Sequence, residues 1–341
     1  MKSKRLNGFD LGIISKYRSE IFGITISWIV ILHGVIMDKV TFSPNLEWLY
    51  IILKHGNVGV DIFLFLSGIG LYYSFSKDND VGRYMKKRMS RVLIPYLIIG
   101  GIYFLYKDVE LNNSVTKFLA DISLISFLFK GNKIVWYIFA IMLCYIIFPY
   151  VYRLIYDEKG NYKKSSSANL VFAIILVILM TFVIYLSYRN SYDHIEAAIT
   201  RIPVFMCGCA CAGLIKQNKK ISYIWPVLAF LVVATSYSIF KRYLITGIYQ
   251  RYYYCLYGVS LTVLFALVLS VIKWKPIHTV FSWLGNISLE LYLCHILLRD
   301  LFIHSRYYSG GHIMLKYVVV VIISVVLAKT VSVFVSKLKK C

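Results

Sequence analysis

The sequence predicts an all-α fold, a polytopic transmembrane helical bundle of about ten transmembrane helices, and three observations carry that expectation. Hydrophobic residues make up 59% of the 341 and charged residues only 16%, whereas soluble domains are about one quarter charged. Apolar runs recur from Ile21 to the C-terminal end, and a run of about 18 residues is long enough to cross a hydrocarbon core as a helix. Nearly all of the 38 Lys and Arg fall between those runs. So little charge cannot coat a globule of this size, and residues 1–341 read as a single integral membrane domain.

Taken in order, the spans are expected at roughly 21 to 38, 58 to 75, 92 to 107, 134 to 152, 168 to 188, 201 to 215, 222 to 240, 253 to 272, 286 to 304 and 313 to 336. The segment from Ser114 to Phe129 is apolar but carries Lys117 and Asp121, so it is expected to lie at the interface or to re-enter. The stretch from His278 to Leu284 reads the same way. No cleavable signal peptide is expected, because mixed residues precede the first run and no small-residue cleavage site follows it. An even number of spans puts both termini on one side. The loops of that side hold the larger share of the Lys and Arg, so both termini are expected to be cytoplasmic in a multi-pass cell-membrane protein. No internal repeat or matched pair of Gly/Pro-broken helices is visible, which weighs against a transporter.

Several classes drop out on composition. A net charge of +22 would point to nucleic acid in a soluble chain, but here membrane topology accounts for the basic loops. The 29 Tyr and 21 Phe read as interfacial belts and core packing rather than base-stacking platforms. Membrane lipids are therefore expected partners and nucleic acid is not. Seven Cys is an odd number, and all but Cys341 lie within apolar runs, so no disulfide framework is expected. Cys207, Cys209 and Cys211 fan around a helix axis with no His or acid nearby, and no metal site is expected. Cys341 follows a Lys-rich end without forming a prenylation box.

A few ionisable residues sit at bilayer depth, where each costs at least a few kcal/mol and marks a functional-site hypothesis. His33 lies deep in the first span, within WIVILHGVI. A neutral imidazole shielded from water is the form a general base needs. Asp61 opens the second span in VGVDIFLFLSG and requires a donor from a neighbouring helix; a catalytic role and a structural pair are both open to it. Ser67 follows about two turns later. Arg88 and Arg91 share a helical face just ahead of Pro95 and Tyr96. Such a pair at the membrane surface suits phosphate, of a lipid headgroup or of a nucleotide-bearing donor, and also serves topology. In the ninth span Tyr292, His295 and Arg299 line one stripe at three- and four-residue spacing, while Glu290 points elsewhere and needs its own partner. The remaining His, His312 among them, fall at loops or span ends without metal-ligand spacing.

In this order the pieces resemble the bacterial membrane acyltransferase family that O-acetylates cell-surface polysaccharides, often called acyltransferase family three. The resemblance rests on His33, on VGVDIFLFLSG at 58–68, and on Arg88 and Arg91 before Pro95-Tyr96. Trp136-Tyr137, Arg201-Ile202-Pro203 and ISLELYLCH at 287–295 extend it over essentially the whole chain. It implies a ten-helix enzyme that transfers acyl groups other than aminoacyl groups. The acetyl group would come from cytoplasmic acetyl-CoA and go to a hydroxyl of an extracytoplasmic glycan or a lipid-linked saccharide. His33 matches the family's essential histidine, and Arg88 with Arg91 match its basic motif, assigned to the donor. Many members carry Arg eleven residues before this His. Here that position is Phe22, and Arg18 with Glu20 lie just ahead of it, which makes Arg18 the candidate substitute.

Acyl transfer from a thioester to an alcohol needs a base, a cationic seat for the CoA phosphates and donors for the developing oxyanion. His33 is the expected base or transient acyl carrier. Ser67, Trp136 and Tyr292 are the candidate oxyanion donors. The rival readings are a transporter or flippase of a polar or lipid-linked substrate, with His33, Asp61 and His295 as relay groups, and a glycan polymerase or ligase, which would carry one large extracytoplasmic loop that this sequence lacks.

Overall fold

The computed structural model of the protein describes residues 8–38, 43–305 and 313–338. Cys341, His312 and the first seven residues lie outside the described residues. The helices, in chain order, are α1 (Gly12–Lys16), α2 (Arg18–Asp38), α3 (Glu47–Lys54), α4 (Gly59–Phe75), α5 (Val81–Phe104), α6 (Val115–Ile122), α7 (Ile125–Lys130) and α8 (Trp136–Ile155). They continue with α9 (Ser166–Ser187), α10 (Arg189–Ile199), α11 (Ile202–Lys216), α12 (Ile224–Lys241), α13 (Gly247–Val271), α14 (Lys275–Asn286), α15 (Ser288–Ile303) and α16 (Ile313–Leu338). A two-residue antiparallel pairing of β1 (Phe9–Asp10) with β2 (Lys220–Ile221) ties the N-terminal segment to the loop after α11.

Among the described residues, nine helical stretches are long and apolar enough to cross a membrane, and α14 with α15, bent by 69°, form a tenth candidate. The fold is an all-α polytopic bundle and the protein a multi-pass membrane protein. The ten expected spans coincide with α2, α4, α5, α8, α9, α11, α12, α13, α15 and α16 to within a few residues, apart from α5, whose helix begins at Val81 rather than at 92, and α13, which begins at Gly247 rather than at 253. The run from 81 to 91 is too basic to score as apolar, yet it is helical, with the Asp80 carboxylate accepting the Arg83 N–H at 2.8 Å as its N-cap.

One expectation is refined and one helix is added. The stretch from Ser114 to Phe129 is two short helices, α6 and α7, separated by Leu124 in the left-handed region, φ +66°. The polar segment 189–199, whose charges interrupt the apolar pattern, forms α10 and leads directly into α11. Its burial of Tyr192, Ala197 and Ala198 shows an amphipathic face turned inward.

The middle of the bundle is α4, buried almost all round and touching α2, α8, α11 and α13. A helix apolar on every face belongs in such a position. By contrast α9 and α16 lie at the periphery, with Phe172 69% exposed on α9. Glycines set the close approaches. A Cβ on Gly68 or Gly208 would collide with the facing α11 or α4 backbone. The same holds where α14 crosses α2: Gly23 faces the Phe281 carbonyl and Gly285 the Ser19 carbonyl. Small residues at such crossings let helix backbones pack in van der Waals contact. The segment 278–284 thus belongs to a separate helix turned away from the ninth span and locked against the start of the first.

Candidate active site

Two cavities lie on opposite sides of the aromatic pair Tyr137 and Tyr292. The first, of about 240 Å³, is lined by Arg18 and Phe22 of α2, Ser67 and Gly70 of α4, Arg88 and Arg91 of α5, and Gly285 to Leu289 around the α14–α15 bend. The second, of about 510 Å³, holds His33 with Asn57, Trp136, Arg201, Arg251, Tyr292 and Arg299. Between them is a void of about 30 Å³ bounded by Ile29, Val60, Phe63, Tyr137, Ser288, Leu289 and Tyr292. Its size is that of a single water. Each neighbouring pair of spaces shares wall residues, so the three lie in a row through the bundle with the smallest, a neck, in the middle. Tyr137 and Tyr292 meet edge to face at that neck, ring centres 4.9 Å apart.

His33 is one of the walls of the larger cavity, and His295 on α15 stands behind it, fully buried. Nδ1 of His33 lies 2.9 Å from Nε2 of His295, and Nδ1 of His295 lies 2.8 Å from the Leu291 carbonyl oxygen. A carbonyl only accepts, so His295 donates from Nδ1. With both rings neutral, its Nε2 then accepts from His33 Nδ1, and the lone pair of His33 is left on Nε2. The carbonyl thus sets both tautomers, as a partner on one ring nitrogen does for the other. Tyr292, one turn before His295, packs its ring against the His295 ring.

Asp61 is fully buried and does not line the cavity. Its Oδ2 accepts from Arg201 Nε at 3.2 Å, and Arg201 Nη1 donates to the Ala197 carbonyl at 2.8 Å. The Arg201 guanidinium also stacks over Trp136, 4.8 Å from the ring centre. The donor that the sequence required for Asp61 is therefore Arg201, and the carboxylate acts by holding that guanidinium at the cavity wall. Further out, Glu196 Oε1 accepts from both Lys133 Nζ at 3.2 Å and Arg251 Nη2 at 3.1 Å. Asp300 accepts from Lys107 Nζ at 2.6 Å and from the Tyr103 hydroxyl.

The smaller cavity gathers three cations. Arg18 donates from Nε to the Leu66 carbonyl at 3.2 Å, and its guanidinium lies over the Phe22 ring at 4.9 Å. One helical turn before Phe22 on the same face, it occupies the space beside that ring together with Arg88 and Arg91. Nε of Arg88 is shielded from solvent with no hydrogen-bond partner. An orphaned cationic donor in a pocket of guanidinium groups fits an anionic ligand such as a phosphate.

The other sequence candidates divide between these places. Trp136 and Tyr292 line the His33 cavity, but Ser67 lies with the arginines across the neck, which separates it from His33. Glu20 lines neither cavity; its Oε1 sits 3.4 Å from His278 Nδ1 and ties α2 to α14. Glu290 is half-buried and also outside both walls. Among the described residues no cluster of three or more His, Cys, Asp or Glu could hold a metal ion. Sequence reasoning missed the place of Tyr137 at the neck and of Lys133, Glu196 and Arg251 in the cavity wall. Arg201 had one signal, a cation opening an apolar run next to Pro203.

Comparison with known proteins gives a consistent result. The family model described as "Acyltransferase domain" matches residues 23–337. The protein named "Putative acetyltransferase ORF330", of Acidianus two-tailed virus, is 24% identical over 265 residues, which are 73% of this chain and 75% of that protein. No solved structure matches the chain.

Proposed function

The chain belongs to this acyltransferase family and is an acyltransferase, and we propose that it carries an acetyl group from cytoplasmic acetyl-CoA through the bundle to a hydroxyl of a cell-surface glycan or lipid-linked saccharide. The single observation that supports this reading is the row of spaces itself: a cationic pocket, a void with the volume of about one water, and a cavity with a histidine in its wall.

Arg18, Arg88 and Arg91 would hold the CoA phosphates, with the Arg88 Nε donor satisfied by the bound anion. The excess of Lys and Arg in the loops on that side supports a cytoplasmic orientation for it. His33 lies about 22 Å further along α2 at 1.5 Å per residue. That separation calls for a long, thin arm to reach through the neck, and the pantetheine arm of CoA has that form. Tyr137 and Tyr292 would close around it and keep bulk water from the thioester.

On the far side, the acceptor hydroxyl would give its proton to His33 Nε2 as its oxygen bonds to the acetyl carbonyl carbon. Arg201, Trp136 and Tyr292 supply the donors for the oxyanion. Collapse of the tetrahedral intermediate breaks the C–S bond, and His33 returns the proton to the departing sulfur, so the product is the O-acetyl ester and free CoA thiol. No metal is needed at any step.

The test is transfer of radiolabel from acetyl-CoA to candidate glycans by purified protein in nanodiscs. Wild type should transfer label, and His33→Ala should be slower by a factor of about 100 or more. Label that stays on CoA with every acceptor, together with His33-dependent substrate flux in sealed vesicles, would sink the reading in favour of a transporter.

A further inference from the structure

We infer that the acceptor seated in the His33 cavity is an anionic saccharide, recognised through a carboxylate or phosphate by Arg251 and Lys133; this rests on the transfer reading above. The charged side chains of the cavity wall among the described residues are Lys133, Arg201, Arg251 and Arg299 against Glu196 and Asp300. The cationic excess survives when the next row is included, because Asp61 behind Arg201 is offset by Lys107 against Asp300.

Half of that excess lies at Lys133, Arg251 and Glu196, and the other half at Arg299 and Lys107 against Asp300. Lys133 and Arg251 both rely on one oxygen of one carboxylate, Glu196 Oε1, at 3.2 and 3.1 Å. One carboxylate neutralises one of them. Both are partly exposed, with side chains 43% and 26% accessible, whereas Arg201 is 2% exposed and anchored by Asp61, Ala197 and Trp136. Arg201 is therefore part of the wall and the Arg251–Lys133 pair faces arriving ligand.

The donor does not use this charge. CoA phosphates held at the Arg18, Arg88 and Arg91 cavity remain across the neck, about 22 Å away along α2. Lys and Arg are donors without acceptor capacity. A neutral sugar, whose hydroxyls must also donate, is matched only in part by such a wall. A carboxylate or phosphate accepts from several donors at once and neutralises the surplus charge in a partly water-excluded space.

The experiment uses the full chain in nanodiscs and two matched pairs of probes, cellobiose against cellobiouronic acid and glucose against glucose 1-phosphate. Binding is measured by calorimetry at low and high salt, and acetyl transfer is followed in the same preparations. The anionic member of at least one pair should bind about tenfold tighter or more, and the advantage should shrink with salt. The pair showing the larger ratio separates carboxylate from phosphate recognition. Arg251→Glu should abolish the preference and Lys133→Gln should reduce it, each checked for unchanged thermal unfolding. Equal binding, or none, by both members of both pairs overturns the inference, as does a preference that survives both substitutions. Anion-selective binding without transfer to any acceptor would instead remove the transfer reading and leave the anion site standing. Transfer without charge preference would do the reverse.

Discussion

His33 and His295, 262 positions apart in the chain, meet through Nδ1 and Nε2 at 2.9 Å, and the Leu291 carbonyl behind them decides which nitrogen of each ring carries the proton. In the proposed transfer, His295 is thereby a positioning residue for His33. In His295→Ala the His33 ring loses its orienting partner, and kcat should fall about 100-fold, the usual cost of a misplaced catalytic group. The KM for acetyl-CoA should not move, because the arginine cavity is untouched. His295→Gln, which restores an acceptor, should recover part of the loss. A rise in donor KM with constant kcat would contradict the assignment.

The arginine cavity predicts a binding defect without a chemical one. Charge-assisted hydrogen bonds contribute about 1.5–3 kcal/mol each. Arg88→Ala with Arg91→Ala should therefore weaken CoA binding by about 100-fold or more, read by calorimetry, and the wild-type affinity should fall with salt more steeply than that of the double variant. Arg18→Ala should weaken it further if Arg18 stands in for the residue missing at Phe22. Unaltered CoA affinity in the double variant would refute the donor site.

Asp61 and Arg201 form a buried ion pair. Removing one partner of a buried ion pair costs about 3–5 kcal/mol, since the remaining charge is left uncompensated. Asp61→Ala should lower the unfolding temperature sharply, and adding Arg201→Met should return much of the stability but none of the activity, because the Arg201 guanidinium is then absent from the cavity wall. Normal thermal stability in Asp61→Ala would show that the pair is not holding the fold.

The α2–α14 crossing predicts a contrast among glycines. Gly23→Ala and Gly285→Ala each place a methyl group against facing backbone, which cannot yield as a side chain does, and should cost about 1–3 kcal/mol. A methyl group on Gly101 of α5 would meet nothing within 4 Å, so Gly101→Ala should be neutral or stabilising by up to about 1 kcal/mol. Chemical unfolding in detergent distinguishes the two outcomes.

What the sequence by itself determined is what local geometry controls. An apolar run of sufficient length must become a helix in lipid, because its backbone polar groups have no other partner there, and so the spans were legible from 21 to 336. The 3.6-residue period likewise puts Arg88 with Arg91, and Tyr292 with His295, on common faces. Which faces meet is a different matter, since it depends on how helices distant in the chain pack. Only the tertiary structure decided that the partner of Asp61 is Arg201, that Ser67 and His33 lie on opposite sides of the Tyr137–Tyr292 neck, and that Glu196 gathers Lys133 and Arg251 at the cavity wall. The helices that carry Asp61 and Arg201 meet through close backbone approaches at Gly68 and Gly208, and a glycine in a sequence does not say which helix it will admit.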